Sequence, residues 1–348
     1  MKYKLLGRSG LRVSELCLGT MTFGEDWGWG ASHDESRAVF EAFVEAGGNF
    51  IDTANIYTNG SSEKITGELI KGDRDRFVLA TKYTLPDNPA SPTNAGNVNV
   101  TGNSRKNLMR SVEGSLKRLD TDHIDLLWLH AWDFMTPVEE VMRGLDDLVR
   151  AGKITYVGVS DSPAWIVAQA NTLAELRGLT AFVALQVEYS LVERTPERDL
   201  IPMARAFGLT VTPWSPLGQG ILTGKYNGGE KEVGARLSDG SSARLNERSL
   251  AVAQAVVDVA GEMGTTPSQV ALAWLLAQGP DVIPIIGSRK AAQVKDNLAC
   301  LDVTLGEAHL QKLDAVSRIE LGFPHDFLAS DMVRNFVTAG NDSAIVKR

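Results

Sequence analysis

Cysteine is scarce in this sequence, and long apolar runs are missing from it. Cys17 and Cys300 are the two cysteines of 348 residues, and they form no CxxC pair or other ligand cluster. A disulfide scaffold and a cysteine-based metal centre are therefore excluded, and free thiols fit a reducing compartment. No run is long enough to span a bilayer, and the opening segment MKYKLLGRSG lacks the apolar core of a signal peptide. We expect a cytoplasmic protein that is not held by a membrane.

An excess of positive charge is also missing. The formal net charge is −8, and acidic and basic residues are interleaved. Proteins that bind nucleic acids carry a basic face, so neither nucleic acid nor a membrane surface is an expected partner. The sequence carries no signal for an oligomeric state.

Short apolar runs alternate with longer amphipathic segments from residue 10 to residue 300. Eight runs are rich in Val, Ile, Leu and aromatic residues, which is typical of parallel strands buried on both faces. The predicted strands are Val13–Leu18, Phe50–Asp52, Phe77–Thr81, Ile124–Leu129, Ile154–Val159, Phe182–Val187, Thr210–Trp214 and Val282–Ile286. Segments with helical spacing lie between them at Glu35–Ala46, Arg105–Leu119, Val138–Arg150, Ala164–Arg177 and Arg198–Phe207.

This alternation predicts an α/β fold, a single (β/α)8 TIM barrel that forms one domain over residues 1–348. A doubly wound sheet alternates in the same way and is the alternative, but a count of eight strands without a linker favours the barrel. Long loops at 83–103 and 219–246 should lie on the C-terminal face, where barrel enzymes keep their active sites. In the tail, 305–348, we expect one amphipathic helix and then an irregular end.

Polar residues end three predicted strands that are otherwise apolar. Asp52, Lys82 and His130 stand at these ends, and Tyr57 follows Asp52 in the loop DTANIY. Each has an ordinary interpretation: a helix cap, a lysine that reaches solvent, a core histidine or a tyrosine that covers apolar surface. Because the C-terminal ends of neighbouring barrel strands converge on one rim, the four side chains are expected to meet.

The four residue types suit the reduction of a carbonyl group, which requires a hydride on carbon and a proton on the developing alkoxide. Tyr57 can supply the proton, and an adjacent ammonium on Lys82 lowers the pKa of a phenol. Asp52 can hold Lys82 in place, and a neutral His130 can orient the carbonyl by hydrogen bonding. None of these roles needs a metal.

The sequence resembles the aldo-keto reductase family from Lys4 to about Leu301. The segments GNFIDTANIYTNGSSEKITGELI, LATKY and HIDLLWLHAW are similar to the family's catalytic motifs. The resemblance implies that the family's catalytic Asp, Tyr, Lys and His correspond to Asp52, Tyr57, Lys82 and His130. The motifs GVSDSPAW and SRKNL further resemble the branch related to aryl-alcohol dehydrogenases.

The resemblance also implies a nicotinamide cofactor and the residues that hold it. GVSDSPAW gives Ser160 and Asp161 as contacts of the carboxamide, and many members of the family have Asn where Asp161 stands. ALQVEYSL gives Gln186 beside the ring and Tyr189 behind it. The segment PWSPLGQGILTGKY, expected to wrap the pyrophosphate, contributes Trp214, Ser215, Leu217, Gly220 and Lys225.

The segment PIIGSRKAAQVKDNL resembles the family's loop for the adenosine 2′-phosphate. It offers Ser288, Arg289 and Lys290 at a helix N-terminus, with Gln293 and Asn297 on the helix. Backbone N–H groups, the helix dipole and two cations suit an anion, although an ordinary solvated helix start has the same composition. We therefore expect NADP(H) rather than NAD(H) as cofactor.

Aromatic residues follow the strands whose loops line the substrate pocket in this family. They are Trp27, Trp29, Trp132, Phe323 and Phe327. An aromatic wall favours flat or apolar carbonyl compounds as the small-molecule substrate, although some of these rings can simply pack the loops.

Two other functions share parts of this pattern. Some members of the family, the potassium-channel β subunits, bind NADPH and act mainly as partners of another protein. A metal-dependent hydrolase can also use Asp and His at barrel strand ends, but the sequence has no His-x-His or carboxylate cluster with ligand spacing. The complete set of four catalytic positions favours the enzyme.

Overall fold

The computed structural model describes residues 1–227 and 244–346, and it is an eight-stranded parallel barrel preceded by a hairpin. The described strands are β1 Tyr3–Leu5, β2 Arg12–Ser14, β3 Cys17–Gly19, β4 Phe50–Asp52, β5 Val78–Tyr83, β6 Ile124–Leu129, β7 Ile154–Ser160, β8 Phe182–Glu188, β9 Thr210–Trp214 and β10 Ile285–Gly287. The last eight form one sheet in the order β10-β3-β4-β5-β6-β7-β8-β9. A parallel bridge between Val211 and Val282 joins its two edges. The predicted barrel is confirmed.

Helices cover the outside of the barrel. Those in the described residues are α1 His33–Glu45, α2 Ser61–Ile70, α3 Arg105–Leu119, α4 Val138–Arg150, α5 Ala164–Arg177, α6 Leu200–Phe207, α7 Glu247–Met263, α8 Pro267–Ala277, α9 Ala291–Leu298, α10 Glu307–Ser317, α11 His325–Ala329 and α12 Asp331–Val337. The start of α1 shows how local sequence sets a boundary. Ser32 and Glu35 form a capping box, so this helix begins two residues before the predicted Glu35.

Two apolar cores sit on the two sides of the sheet. The larger one lies between the strands and the helices. The smaller one fills the barrel interior and includes Phe50, Ala80 and Trp128. Leu6 and Val13 of the β1–β2 hairpin join the interior core, and Gly7 donates to the Thr210 hydroxyl at the start of β9. The hairpin therefore closes the N-terminal end of the barrel and leaves the C-terminal end for the functional side chains.

Three details differ from the sequence prediction. The run Val13–Leu18 is not one strand: its first part pairs with β1 in the hairpin, and its second part enters the barrel. Both parts contain apolar residues, so the pattern alone does not separate them. The tail does not end irregularly after one helix, because α11 and α12 follow α10, with the Ser330 side chain capping α12. Of the predicted loop 219–246, residues 228–243 lie outside the described residues.

Gly158 allows a tryptophan to fill the barrel interior. It pairs with the fully buried Trp128 across β6 and β7. A Cβ atom at Gly158 would lie 2.3 Å from the Trp128 ring, which is too close for any side chain. Any side chain at position 158 would therefore have to displace the buried ring of Trp128.

We predict that Gly158→Ala lowers the free energy of unfolding by about 1–3 kcal/mol, the usual cost of overpacking a core. Urea denaturation measures this. Gly261→Ala is the matched control, because Gly261 lies inside α7 with no atom within 4 Å of its added Cβ. The control should gain up to about 1 kcal/mol from helix propensity. Equal loss in both variants would contradict the steric explanation.

Candidate active site

Four side chains predicted to meet do so at the C-terminal end of the barrel. Asp52 and Lys82 end adjacent strands, β4 and β5, and His130 directly follows β6. Lys82 Nζ lies 2.5 Å from Asp52 Oδ2 and donates to the Thr53 carbonyl oxygen at 2.8 Å. The same ammonium lies 4.7 Å from the ring centroid of Tyr57. The ends of β4, β5 and β6 therefore bring a carboxylate, an ammonium and an imidazole into one cluster with the Tyr57 phenol.

Lys82 is 0% exposed, so its charge has no access to solvent. Burial alone would lower the pKa of the ammonium, but the Asp52 carboxylate and the Tyr57 hydroxyl together raise it above its ordinary value. The ammonium is therefore charged at neutral pH. Gln186 Nε2 donates to the other Asp52 oxygen at 3.1 Å, which holds the carboxylate in line with Lys82.

Tyr57 carries its proton at neutral pH. Burial raises the pKa of its phenol above the ordinary value, and the positive charge of Lys82 opposes that rise. The ring meets His130 edge to face, with centroids 6.2 Å apart and an angle of 87° between the planes. The Tyr57 phenol thus lies next to a cation, and a neighbouring cation stabilises the phenolate form of a phenol.

His130 is neutral in this environment. Burial and the positive charge of Lys82 lower the pKa of its imidazole to about 3. Its Nδ1 atom is buried without a hydrogen-bond partner in the described part of the chain. A neutral imidazole in this position can hydrogen-bond a polar group of a ligand without adding a second cation beside Lys82.

A strained turn, which the sequence pattern does not reveal, positions Tyr57. Thr58 and Asn59 both have positive φ values, 45° and 55°, which are uncommon for residues with a side chain. The buried Thr58 hydroxyl donates to the Phe23 carbonyl at 2.7 Å and accepts from the Ser62 backbone at 2.9 Å. These bonds fix the turn to the loop after β3. Strain that surrounding contacts sustain in this way is frequent at active sites.

A buried ion pair anchors the helix that follows this turn. Glu63, in the first turn of α2, accepts from the Thr81 hydroxyl and from Arg118 Nε, each at 2.6 Å. Glu63 is fully buried, and Thr81 is the neighbour of Lys82 on β5. The hydrogen bond from Thr81 to Glu63 therefore connects the helix after the Tyr57 turn to the strand that carries Lys82, and the ion pair with Arg118 joins the same helix to α3. A glutamate in a first helical turn is usually solvated, so sequence alone gives no signal for this contact.

Residues at the C-terminal ends of β7, β8 and β9 form the wall of the barrel mouth that faces Tyr57 and Lys82. Ser160 Oγ is buried and makes no hydrogen bond of normal geometry with the described residues. Asp161 follows it, and Trp214 Nε1 donates to Asp161 Oδ1 at 3.1 Å. Partial burial raises the pKa of the Asp161 carboxyl, while the Trp214 N–H group and the charge of Lys82 oppose that rise. Of the predicted cofactor residues, Ser160, Asp161, Gln186 and Trp214 thus lie together.

Several residues of the segment after β9 have a left-handed backbone conformation. Positive φ values occur at Ser215 (49°), Gly218 (56°), Gln219 (58°) and Gly220 (91°). Such alternation of left- and right-handed residues produces anion-binding concavities. Lys225 lies against Gly220, where an added Cβ would come within 3.3 Å of its Nζ atom. Leu217 precedes the short helical turn Gly218–Thr223 and packs against the outer core.

The start of α9 presents two cations to solvent. Arg289 and Lys290 are exposed, and Lys290 is the N-terminal cap residue without a side-chain hydrogen bond to the helix. The Arg289 backbone donates to Gln293 Oε1 at 3.0 Å. Beneath them, Asn297 Nδ2 lies 3.5 Å from Ser288 Oγ, and both residues are buried. The five predicted residues therefore form one group around a helix N-terminus.

The prediction for Tyr189 is wrong. Tyr189 is 2% exposed, its hydroxyl donates to Glu197 Oε1 at 2.7 Å, and its ring packs on Trp274. A side chain enclosed in this way cannot touch a ligand at the mouth of the barrel. The sequence pattern fails here because strand β8 ends at Glu188, and the chain then turns the next side chain into the outer core.

Four of the five predicted pocket aromatics form two pairs. Trp27 and Trp29 pack together with centroids 5.6 Å apart, and Trp27 Nε1 lies 3.4 Å from Asn59 Oδ1, beside the turn of Tyr57. Phe323 and Phe327 instead pack on each other in the tail, and Phe323 is 85% exposed. The place of these two phenylalanines in the substrate pocket stays a prediction.

Trp132 lies between two shallow cavities of about 330 and 360 Å³. Neither cavity includes Tyr57 or His130. We assign the active site to the four-residue cluster and not to these cavities, because the cluster holds the buried charges and the shifted pKa values. Within residues 1–227 and 244–346, no three His, Cys, Asp or Glu side chains are grouped as a metal ion requires. Every helix of those same ranges is too short or too polar to span a membrane.

We predict that the His130 imidazole does not titrate between pH 5 and pH 8. Its pKa of about 3 in the folded protein lies below the ordinary value, so the unfolded chain takes up this proton first as the pH falls. The stability contributed by neutral His130 is complete above about pH 6.5 and is lost progressively towards pH 3. Imidazole ¹⁵N NMR measures the titration, with His130→Gln assigning the signal. A midpoint near 6.5 would contradict the buried, neutral state.

The comparison with known proteins agrees with this interpretation of the site. The family model described as "Aldo/keto reductase family" matches residues 15–318. A norsolorinic acid reductase of Aspergillus flavus is 38% identical over 339 residues, which cover 96% of this chain and 85% of that protein. A putative aryl-alcohol dehydrogenase of Saccharomyces cerevisiae is 37% identical over 336 residues, covering 93% and 88%.

An aryl-alcohol dehydrogenase of Pestalotiopsis microspora is similarly related, with 37% identity over 334 residues that cover 94% of this chain and 85% of that protein. The resemblance drawn from the motifs is thus confirmed, including its aryl-alcohol dehydrogenase-like branch. The protein is an oxidoreductase that acts on carbonyl or alcohol groups, and its chain belongs to the aldo/keto reductase family.

Proposed function

We propose that this enzyme reduces aldehydes or ketones to alcohols with NADPH, and that Tyr57 donates the proton. The observation that carries this proposal is the buried Lys82 ammonium, held by Asp52 and placed 4.7 Å from the ring centroid of Tyr57. A bound reduced nicotinamide supplies the hydride to the carbonyl carbon. Tyr57 gives its proton to the oxygen as negative charge develops there, and neutral His130 orients that oxygen by a hydrogen bond.

The environment of Tyr57 suits the reductive direction. Its pKa is raised by burial, so the protonated form predominates at neutral pH. When the proton leaves, the adjacent ammonium stabilises the phenolate. The reaction is reversible in principle, because the same phenolate can accept a proton from an alcohol.

The residues around the mouth fit a nicotinamide dinucleotide. The Ser160 hydroxyl is buried beside the Asp161 carboxylate, a position that suits hydrogen bonding to a carboxamide group. The backbone after β9 and Lys225 suit the pyrophosphate. Arg289 and Lys290, at the start of α9, suit the additional phosphate of NADP(H). We assign Ser288, Gln293 and Asn297 to the same phosphate site.

We further propose aromatic carbonyl compounds as substrates. Two relatives are named for aryl alcohols. In this chain, Trp27 and Trp29 lie beside the turn that carries Tyr57, and Trp132 follows His130 by two residues. Flat aromatic substrates gain contact area from such rings. The enclosed thiols of Cys17 and Cys300 agree with action in the cytoplasm.

We predict that the native protein consumes NADPH with benzaldehyde and that Tyr57→Phe lowers kcat by at least about 10²-fold, the contribution typical of a general acid. The variant keeps the ring but loses the proton donor, so its Kd for NADPH should stay within about twofold. Absorbance at the NADPH band measures turnover, and fluorescence titration measures binding. A native protein that binds NADPH but reduces no member of a carbonyl panel would show a binding protein instead.

We predict that the double variant Arg289→Ala with Lys290→Ala raises the Kd for NADPH at least about tenfold, because charge-assisted hydrogen bonds to a phosphate are lost. The Kd for NADH should stay within about twofold, since NADH lacks that phosphate. Lys295→Ala, an exposed cation in the last turn of the same helix, is the control. Equal weakening of both cofactors would contradict the assignment of the two cations to the 2′-phosphate.

A further inference from the structure

Asp161 is a fixed carboxylate on the wall that faces Tyr57 and Lys82. It follows the last residue of β7 and has a φ of 36°, a conformation that few residues with a side chain adopt. Its backbone is held by two neighbours: its N–H donates to the Gln186 carbonyl at 3.4 Å, and its own carbonyl accepts from Trp132 at 3.3 Å. Trp214 Nε1 donates to Oδ1 at 3.1 Å. Hydrogen bonds therefore fix both the main chain and the side chain of Asp161.

The charge of Asp161 is not balanced by a salt bridge. None of the ion pairs among the described residues includes it, whereas the nearby Lys82 ammonium is already paired with Asp52. Asp161 nevertheless lies close enough to Lys82 and Tyr57 to act on them electrostatically. The Trp214 N–H group favours the ionised form, because it donates to a carboxylate oxygen. The wall thus contributes a net negative charge next to the cluster.

A net negative charge distinguishes the two redox states of a nicotinamide. The reduced ring is neutral and the oxidised ring carries one positive charge. A fixed carboxylate near the ring attracts the oxidised form and leaves the reduced form nearly unaffected. At a separation of about 6 Å, this attraction corresponds to about threefold in a dissociation constant at the dielectric of water and to about 100-fold at the effective dielectric typical near a protein surface, so we expect about tenfold for the exposed Asp161.

We propose that Asp161 strengthens binding of the oxidised cofactor relative to the reduced one, and that it thereby shifts the equilibrium on the enzyme towards oxidised cofactor and alcohol, the products of carbonyl reduction. This inference rests on the proposed use of a nicotinamide cofactor at this wall. The consequence for catalysis is twofold. Oxidised cofactor formed during carbonyl reduction dissociates more slowly. The equilibrium between bound reduced and bound oxidised cofactor also lies further towards the oxidised form than it would with an asparagine at position 161.

A hydrogen-bonding role for the same side chain makes a different prediction. A carboxylate that merely accepts from the carboxamide of the cofactor does so in both redox states, so its loss weakens both to the same degree. A charge effect changes only the oxidised form. The ratio of the two dissociation constants therefore separates the two roles without any measurement of turnover.

The test is titration of Asp161→Asn with NADP⁺ and with NADPH, at pH 8, where carboxyl groups are ionised. Quenching of tryptophan fluorescence gives Kd for each cofactor. We expect Kd for NADP⁺ to rise about tenfold and Kd for NADPH to stay within about twofold. Asp161→Ala, which also loses the hydrogen-bonding oxygens, should change the ratio by the same factor even where it weakens both cofactors. Circular dichroism confirms that the variants are folded.

Asp75→Asn is the matched control, because Asp75 is exposed just before β5 at the opposite end of the barrel. It removes the same charge and should leave both constants unchanged. An unchanged ratio in Asp161→Asn, or the same change in Asp75→Asn, would overturn the proposed role of Asp161 while leaving the cofactor assignment intact. A native protein that binds neither cofactor would overturn the proposed function as well.

Discussion

The ammonium of Lys82 has no access to solvent, and its charge has to be balanced inside the barrel. Asp52 supplies the balance at 2.5 Å, and the Thr53 carbonyl accepts a second hydrogen bond. The desolvation of two charges is repaid only when partners and hydrogen bonds are complete. Gln186, on the far side of the mouth, completes them by binding the other Asp52 oxygen. The pair therefore ties strands β4, β5 and β8 to one another at the active-site end.

The remaining features of the site follow from this buried cation. Burial lowers the pKa of His130, and the positive charge of Lys82 lowers it further, so the imidazole stays neutral. Lys82 also prepares the enzyme to stabilise a phenolate at Tyr57, although burial keeps the phenol protonated beforehand. Thr58 and the buried Glu63 hold the turn and helix that carry Tyr57 towards it. Asp161 adds negative charge on the facing wall, where the cofactor is proposed to lie.

The barrel and the four central residues could be predicted from sequence because they depend on patterns that are local in the chain. Strand runs recur along it, and polar residues at strand ends stand out against apolar surroundings. The failures involve tertiary contacts. Tyr189 has the composition of a ligand-contacting residue, yet it pairs with Glu197 and Trp274 in the outer core. Thr58 and Glu63 support the site through contacts with distant strands, which the sequence does not display.

The most direct test of this account is a double-mutant cycle on the buried pair, with Asp52→Asn, Lys82→Met and the two combined. Urea denaturation gives the free energy of unfolding of each. Either single substitution leaves an unpaired buried charge, so each should lower stability by about 3–5 kcal/mol. The combined variant leaves no such charge, so its loss should be well below the sum of the two single losses. Additive losses would contradict the central claim that Asp52 and Lys82 stabilise one another at the mouth of the barrel.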